Sequence, residues 1–231
     1  MPLAFEDPLT YLPRKPVQEF AKHRVIYDEH HPPESLYVVI LGRVKTATTA
    51  DEGLVTISRI VTNEGLFGET SLIGSTARHG WAVALDNVTL MSWTRAEIEN
   101  QIEREPRLGI ALAQNLVREC MELQDRIASM AMYKTPERVM LAFLQLAGTL
   151  GTPLPDASVR ISSLTHHTIA EYVGTSREII TFQMNRLRRA GLIRYSRKSI
   201  DIQVGALREA LRSQGVSLSH PANETARRAA G

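Results

Sequence analysis

The sequence predicts an α+β protein that consists of an N-terminal β-roll, a long dimerisation helix and a C-terminal winged helix-turn-helix. Three observations support this fold class. Short apolar segments separated by turn residues run from about residue 24 to residue 93. A regular apolar repeat typical of a long helix follows Pro106. Two helical segments joined at Gly174 then precede a basic hairpin.

The length and composition limit the class of protein. With 231 residues, of which 43% are apolar and 23% charged, the chain can form two modest domains with real cores. Cys120 is the one cysteine, so it forms no intramolecular disulfide and holds no iron–sulfur cluster alone. Apolar runs stay below the roughly 18 residues that span a bilayer, and the N-terminus lacks a secretory-signal layout. We therefore expect a cytoplasmic protein with no membrane partner.

Residues 1–105 are predicted to form the β-roll. The strand segments combine apolar runs with alternation of apolar and polar residues: 36–41, 43–47, 54–61, 81–85 and 88–93. Turn residues such as Asp86-Asn87 separate them. Short strands at this spacing favour a sandwich or barrel of roughly eight strands. Thr94, with Glu97 three residues later, then predicts a capped helix.

The long helix is predicted over residues 106–133. Its apolar side advances in steps of four and three residues: Gly109, Ala113, Leu116, Cys120, Leu123, Ile127 and Met130. A helix with this seam can lie across its own β-domain or pair with a second copy. Because strict 4-3 spacing is narrower than the stripe of a helix on a globular core, pairing is favoured. The predicted homodimer interface consists of Ala113, Leu116, Cys120, Leu123, Ile127 and Met130.

The net charge of +2 conceals an asymmetry along the chain. Residues 1–133 hold 13 basic and 18 acidic residues, a net charge of −5. Residues 134–212 hold 12 basic and 6 acidic residues, a net charge of +6. The basic segment suits a polyanionic partner, of which nucleic acid is the commonest. Residues 213–231 are polar and lack periodicity, so they are predicted to be a disordered tail.

Residues 134–212 are predicted to be a winged helix-turn-helix domain. Two helices, over about 165–173 and 176–190, meet at Gly174, since glycine accepts the left-handed conformation that such a turn requires. A basic strand-turn-strand over 192–202 supplies the wing.

A further helix is predicted to precede these two, beginning at Thr135-Pro136-Glu137 with Thr135 as its cap, and a loop is predicted over 148–156. Apolar positions of the next two helices fall at spacings that can share a small core: Ile169, Val173, Ile180, Met184 and Leu187.

The face of the second helix opposite this core carries the predicted DNA contacts. The N-terminal half of a recognition helix reaches base edges in the major groove. Arginine can donate two hydrogen bonds to guanine there and glutamate can accept one from cytosine, each worth about 1–3 kcal/mol of discrimination. Glu178 also fits a capping box that starts at Thr175, so a capping role stays open. The predicted DNA-binding residues are Thr165, His166, Ser176, Arg177, Glu178, Thr181, Phe182, Asn185, Arg188 and Lys198.

One segment of this chain reads Gly174-Thr175-Ser176-Arg177-Glu178, followed by Leu187 and Gly191-Leu192-Ile193. It resembles the recognition-helix signature of the Crp/Fnr family of bacterial transcription regulators. The order of β-roll, long helix and winged helix is similar too, so the resemblance covers about residues 20–211. It implies a homodimer that binds double-stranded DNA at a pseudo-palindromic site, often in contact with RNA polymerase.

The resemblance also assigns roles within the recognition helix. Arg177 and Glu178 match the family's base-reading arginine and glutamate, which suggests a half-site with a TG-type step. Phe182 departs from the pattern, because the cyclic-AMP receptor subgroup has a basic residue in that place. The specificity at one base pair is therefore an open question.

A second segment, from Gly68-Glu69 to Arg78-His79, resembles the phosphate-binding cassette of cyclic-nucleotide domains. In that cassette a glutamate holds the ribose 2′-hydroxyl and an arginine holds the cyclic phosphate, the roles that Glu69 and Arg78 match. His79 stands where cyclic-AMP binders have a small hydroxyl residue.

On the long helix, Leu123 and Gln124 stand where the cyclic-AMP receptor offers two hydroxyl side chains to adenine. Several lost hydrogen bonds would weaken cyclic AMP by orders of magnitude. Control by cyclic AMP is therefore not expected, and no cofactor is assigned. Glu69 and Arg78 can instead pair structurally in an empty pocket, or the pocket can take a different small effector.

Other functions remain as alternatives. The chain could be a ligand-binding regulatory module that acts through protein partners, or a regulator that does respond to a cyclic nucleotide. The sequence shows no set of nucleophile and base, no metal-ligand spacing and no glycine-rich phosphate loop before a helix. We therefore expect no enzyme activity, no catalytic residues and no metal site.

Overall fold

The computed structural model of the chain describes residues 5–30, 32–50, 53–74, 80–216 and 218. The chain divides between Cys120 and Met121 into two compact units. Strands and helices occur in both units, which confirms the predicted α+β class. No helix within the described ranges is both long and apolar enough to cross a membrane.

The first unit is the predicted β-roll. Its described part contains eight strands: β1 (Gln18–Phe20), β2 (Val25–Tyr27), β3 (Ser35–Leu41), β4 (Val44–Thr49), β5 (Val55–Val61), β6 (Leu66–Phe67), β7 (Trp81–Ala84) and β8 (Val88–Thr94). They form two antiparallel four-stranded sheets, ordered β1-β8-β3-β6 and β2-β7-β4-β5. The five strand segments predicted from alternation correspond to β3, β4, β5, β7 and β8.

Two apolar cores hold the β-roll together. One core takes residues from both sheets: Val39, Val44, Val61, Phe67, Ala82, Ala84, Val88 and Leu90. The other packs the β1-β8-β3-β6 sheet against helices and includes Leu36, Val38 and Trp93. Helix α1 (Arg95–Arg104) begins with the predicted capping box, in which Thr94 and Glu97 bond each other's backbone amides.

The long helix α2 (Arg107–Met132) uses two different faces. Near its start it buries one stripe at helical spacing: Leu108, Ala111, Leu112 and Asn115. The predicted seam lies about 100° farther around the helix, because successive residues turn by about 100°. All six predicted interface residues of that seam are exposed in the single chain. The helix therefore packs on its own β-domain and still leaves the seam uncovered.

The second unit contains the remaining elements: α3 (Thr135–Leu150), β9 (Thr152–Pro153), β10 (Val159–Ser162), α4 (His166–Val173), α5 (Arg177–Arg189), β11 (Ile193–Tyr195), β12 (Ser199–Ile202) and α6 (Val204–Ser213). The strands form one antiparallel sheet ordered β11-β12-β10-β9. Each residue of the predicted small core is buried: Ile169, Val173, Ile180, Met184 and Leu187. The helix-turn-helix and its wing are thus confirmed as local structures.

Two local predictions in this unit are wrong. Thr135 is not the cap of α3, because Lys134 occupies the extended cap position and makes no side-chain cap bond. The predicted loop over 148–156 begins too early, since α3 continues through Gly148 to Leu150 and β9 follows. Gly151 marks the actual end: a Cβ there would lie 2.1 Å from the Ala147 carbonyl oxygen and from a Val159 methyl group.

The C-terminal tail prediction lies almost wholly outside the described residues, which end at 216 and 218. The amphipathic helix α6 was not predicted, although Val204, Leu207 and Leu211 recur at helical spacing and are buried.

Candidate nucleic-acid interface

The turn between α4 and α5 is built around Gly174. Its φ is 72° and its ψ is 55°, a left-handed conformation that other residues adopt at a cost. The backbone amides of Gly174 and Thr175 both donate to the carbonyl of Ala170, at 2.9 and 3.1 Å. This closes α4 and directs the chain into α5.

Two arginines cap the C-terminal end of α4. Arg138 from α3 donates from Nη2 to the carbonyls of Val173 (2.5 Å) and Gly174 (3.0 Å). Arg126 from α2 donates to the carbonyl of Tyr172 at 2.9 Å, with its guanidinium 4.7 Å from the centre of the tyrosine ring. Positive charge at a helix C-terminus stabilises the unpaired carbonyls and the dipole. These contacts hold the turn that aims α5.

Helix α5 separates a buried stripe from an exposed one. Ile180, Gln183, Met184 and Leu187 are buried. The opposite side, which we call the outer face of α5, consists of Arg177, Glu178, Thr181, Phe182, Asn185 and Arg189. Phe182 is 66% exposed at its centre. An exposed face of this kind, on a helix held by a buried stripe, can enter the major groove.

Ser176 caps α5, and this corrects one expectation. Its hydroxyl accepts a hydrogen bond from the amide of Ile179 at 3.3 Å, so Ser176 and not Thr175 occupies the cap position. The alternative in which Thr175 and Glu178 form a capping box is therefore wrong. Hydrogen bonds from its own backbone amide and from Ser176 lower the pKa of the exposed Glu178 carboxyl. Glu178 is thus an exposed carboxylate that can accept hydrogen bonds.

A chain of polar contacts joins α4, α5 and the wing. The Thr181 hydroxyl donates to the carbonyl of Arg177 (2.9 Å) and lies 2.8 Å from Nδ1 of His166. Tyr195 of β11 donates to the Asn185 side-chain oxygen at 3.1 Å. The Arg188 guanidinium lies 5.3 Å from the centre of the Tyr195 ring. The network orients one side of α5 before any partner binds.

These contacts determine which nitrogen of His166 carries a hydrogen. Because the Thr181 hydroxyl hydrogen points to Arg177, the imidazole supplies the hydrogen of the second bond from Nδ1. Burial, and then the nearby Arg177 charge, lower the pKa of His166 below its ordinary value. Both effects favour the neutral ring, in which Nδ1 donates to Thr181 and Nε2 is left as an acceptor.

The wing brings further basic groups to this unit. Lys198 is exposed in the turn between β11 and β12, where its amide donates to the Ser196 hydroxyl at 3.2 Å. Arg194 of β11 donates to Asp156 at 2.6 Å. The Ser158 hydroxyl, followed by Arg194, lowers the pKa of Asp156 to about 2. Arg194 is thus paired at neutral pH with an ionised carboxylate, that of Asp156.

The ten predicted DNA-binding residues all lie in the second unit. Seven are exposed: Thr165, Ser176, Arg177, Glu178, Phe182, Arg188 and Lys198. The other three, His166, Thr181 and Asn185, are half-buried members of the polar network. Thr165 caps α4, where its hydroxyl accepts from the amide of Thr168 at 3.0 Å.

Glu69 lies beside an arginine that was not predicted to contact it. The preceding Gly68 has a φ of 88°, and a Cβ there would lie 2.8 Å from the Ser35 carbonyl oxygen, so glycine is required. Glu69 begins a short 3₁₀ helix and accepts a hydrogen bond from Arg59 of β5 at 2.8 Å. Its expected partner Arg78, together with His79, lies outside the described residues.

Arg59 serves two carboxylates. It also pairs with Glu119 of α2, which in turn accepts a hydrogen bond from the Asn115 side chain at 2.7 Å. Burial by itself lowers the pKa of Arg59, but Glu69 and Glu119 together raise it. Burial raises the pKa of Glu119 by more than the Arg59 charge lowers it. One oxygen of the Glu69 carboxylate is thus already paired within the protein.

Leu123 and Gln124 of α2 are both exposed, and Leu123 is 47% exposed. Neither residue offers a hydroxyl group.

Across the described ranges, no three side chains of His, Cys, Asp or Glu lie together as a metal site would require.

Several residues were not predicted. Arg59 and Glu119 complete the cluster around Glu69, Arg138 caps α4, and Ile179 adds a second exposed apolar side chain near Phe182. The available signal for Arg59 was its place in the alternation of β5, at a position in phase with the apolar residues Ile57 and Val61.

Two protein-family models match the sequence of this chain. The family model of the cyclic nucleotide-binding domain matches residues 17–105, and the model of the Crp-like helix-turn-helix domain matches residues 137–210. The transcriptional regulator SdrP of Thermus thermophilus is 30% identical over 185 residues, which cover 80% of this chain and 87% of SdrP. A CRP-like cAMP-activated global transcriptional regulator of Mycobacterium tuberculosis is 28% identical over 182 residues, which cover 79% and 81%.

Solved structures agree with these matches. The crystal structure of a CRP/FNR-family transcriptional regulator from Thermus thermophilus superposes with a TM-score of 0.70 at 29% identity, covering 87% of this chain and all of that one. FixK2 from Bradyrhizobium japonicum shares the fold, with a TM-score of 0.74 at 18% identity over 84% and 96% of the two chains.

A β-roll followed by a winged helix-turn-helix defines a class of DNA-binding transcription regulators. Within that class, the chain belongs to the Crp/Fnr family.

Proposed function

We propose that the protein is a dimeric, sequence-specific transcription regulator that places α5 in the major groove of double-stranded DNA. The outer face of α5 carries this proposal, because it exposes Arg177 and Glu178 on the N-terminal turn of a helix held by a buried stripe. In this assignment residues 1–105 are a sensor-type domain, residues 106–133 the dimerisation helix and residues 134–212 the DNA-binding domain.

The uncovered seam of α2 supports the dimer. Leu116, Leu123, Ile127 and Met130 are between 38% and 67% exposed in the single chain. A large apolar stripe left in water is typical of an interaction surface. Its 4-3 spacing suits the same stripe of a second copy. A dimer with two recognition helices then binds two half-sites, which gives a pseudo-palindromic site.

Selection from a random duplex library tests the function. We expect the protein to recover a pseudo-palindromic duplex and to bind it much more tightly than a scrambled duplex of equal length. The affinity should fall steeply with salt because phosphate contacts release counterions. Recovery of no preferred duplex would contradict the proposal and favour the alternative of a regulatory module that acts through protein partners.

Activity of this regulator does not depend on cyclic AMP. The Arg59 guanidinium already pairs with one oxygen of the Glu69 carboxylate, so a ribose hydroxyl would have to share this carboxylate with an ion pair. Leu123 supplies no hydrogen bond to a base. Because the similar regulator from Mycobacterium tuberculosis is cAMP-activated, activation by cyclic AMP is the alternative that the experiment must test.

Saturating cyclic AMP is expected to change the affinity for the selected duplex by less than about tenfold, equivalent to about 1.4 kcal/mol of coupling. Fluorescence anisotropy with and without the nucleotide measures this change, and calorimetry measures binding itself. Cyclic GMP serves as the matched control. A stimulation well above tenfold by cyclic AMP alone would show that the protein is a cyclic-nucleotide-responsive regulator.

A further inference from the structure

Two apolar side chains stand exposed on a helix that is otherwise polar outside its core. Phe182 is 66% exposed and Ile179, three residues earlier, is 41% exposed. An apolar side chain stabilises a fold by being buried, so the exposed Phe182 ring contributes little to the stability of this domain. Residues three apart lie on neighbouring positions of a helix surface. The two side chains therefore form one small apolar patch.

The surroundings of this patch point to DNA as its occupant. Arg177, Arg186 and Arg189 are exposed on the same helix, and Arg188 is exposed one residue before Arg189. Positive charge around the patch complements a phosphate backbone. Phe182 itself lies opposite the buried stripe, between Glu178 and Asn185, where the base edges meet a recognition helix.

Only one group on the major-groove edge matches an apolar side chain. The edges of guanine, cytosine and adenine present hydrogen-bond donors and acceptors, whereas thymine adds a C5-methyl group. The Phe182 ring can neither donate nor accept a conventional hydrogen bond, so of these groups it can make a favourable apolar contact only with the thymine methyl group.

We infer that Phe182, supported by Ile179, contacts the C5-methyl group of a thymine in each half-site and so selects a T·A pair beside the bases read by Arg177 and Glu178. This inference rests on the proposed function. It assigns a base preference to the position where the cyclic-AMP receptor subgroup has a basic residue.

Deoxyuridine scanning tests the inference, because uracil lacks the methyl group and keeps every hydrogen-bonding group of thymine. In the duplex selected by the wild-type protein, each thymine is replaced by deoxyuridine, one symmetric pair at a time. At one or two of these symmetric pairs we expect the affinity to fall by about 15-fold, which corresponds to about 4-fold for the methyl group lost in each half-site.

The variants separate contact from general damage. Phe182→Ala should bind the thymine and uracil duplexes equally, whereas Arg189→Ala, the control on the same helix, should bind both more weakly and keep their ratio. The wild-type protein should bind a duplex that carries 5-methylcytosine at this position more tightly than a duplex that carries unmethylated cytosine there.

Three results are distinguishable. If the wild type recovers a preferred duplex but no thymine responds to loss of its methyl group, the inference is wrong and the proposed function stands. If Phe182→Ala keeps the thymine preference, the inference is also wrong, because another residue reads the methyl group. If no preferred duplex exists, the proposed function fails before this inference is reached.

Discussion

Ile127→Asp is expected to convert the protein from a dimer into a monomer. Ile127 is 67% exposed in the single chain, so the fold of the monomer loses little by the change. In the paired seam the new carboxylate would be buried beside its counterpart, and each unpaired buried charge costs several kcal/mol. With two such charges per dimer, the dissociation constant should rise by about a thousandfold or more. Sedimentation equilibrium measures this constant directly.

Leu41→Asp is the matched control for that experiment. Leu41 ends β3 and is 60% exposed, so the change adds the same charge at a similar exposure away from the seam. It should remain a dimer. Far-ultraviolet circular dichroism should show both variants folded. A dimer of unchanged affinity for Ile127→Asp would show that the seam of α2 is covered by something other than a second copy.

Arg177→Ala is expected to reduce the affinity for the selected duplex by about 30-fold or more. A bidentate contact from arginine to guanine is worth about 1–3 kcal/mol in each half-site, and a dimer makes two of them. Arg177 is exposed at the first position of α5, so the fold should tolerate its removal. Anisotropy titrations on the selected and the scrambled duplex, at one salt concentration, separate specific from general binding.

The control for this variant is Arg212→Ala, which removes an exposed arginine of α6. It should change both affinities by a similar small amount. Arg177→Lys should not restore specific binding, since an ammonium group cannot make the planar two-bond contact of a guanidinium. Equal losses on the selected and scrambled duplexes would mean that Arg177 contacts phosphate and reads no base.

The recognition helix illustrates what local patterns can predict. The apolar core positions Ile169, Val173, Ile180, Met184 and Leu187 and the left-handed Gly174 turn were predicted, because they depend on helical periodicity and on the conformational freedom of one residue. The cap of α5 was assigned one residue too early. Thr175 and Ser176 can both cap a helix, and the path of the chain through the turn decides between them.

The cluster around Glu69 was beyond local patterns. Arg59, Glu69 and Glu119 belong to a strand, a 3₁₀ helix and α2, and they meet because the β-roll packs these elements together. An arginine at an apolar position of an alternating strand indicates that a carboxylate pairs with it, but spacing along the chain does not identify which carboxylate this is. For Glu69 the sequence suggested pairing with Arg78 as one alternative, and Arg78 lies outside the described residues.

The sequence by itself determined the order of the elements, the glycine turn, the buried stripe of α5 and the 4-3 seam of α2. Each of these follows from a period of a few residues, within which hydrophobic burial and backbone conformation act locally. Only the tertiary structure decided that α2 also buries a second stripe, that Arg59 occupies the Glu69 carboxylate and that Thr181 orients His166. The Arg59 and His166 contacts join residues 10 to 60 positions apart, and the α2 stripe packs against residues still farther along the chain, so tertiary packing selects all of them.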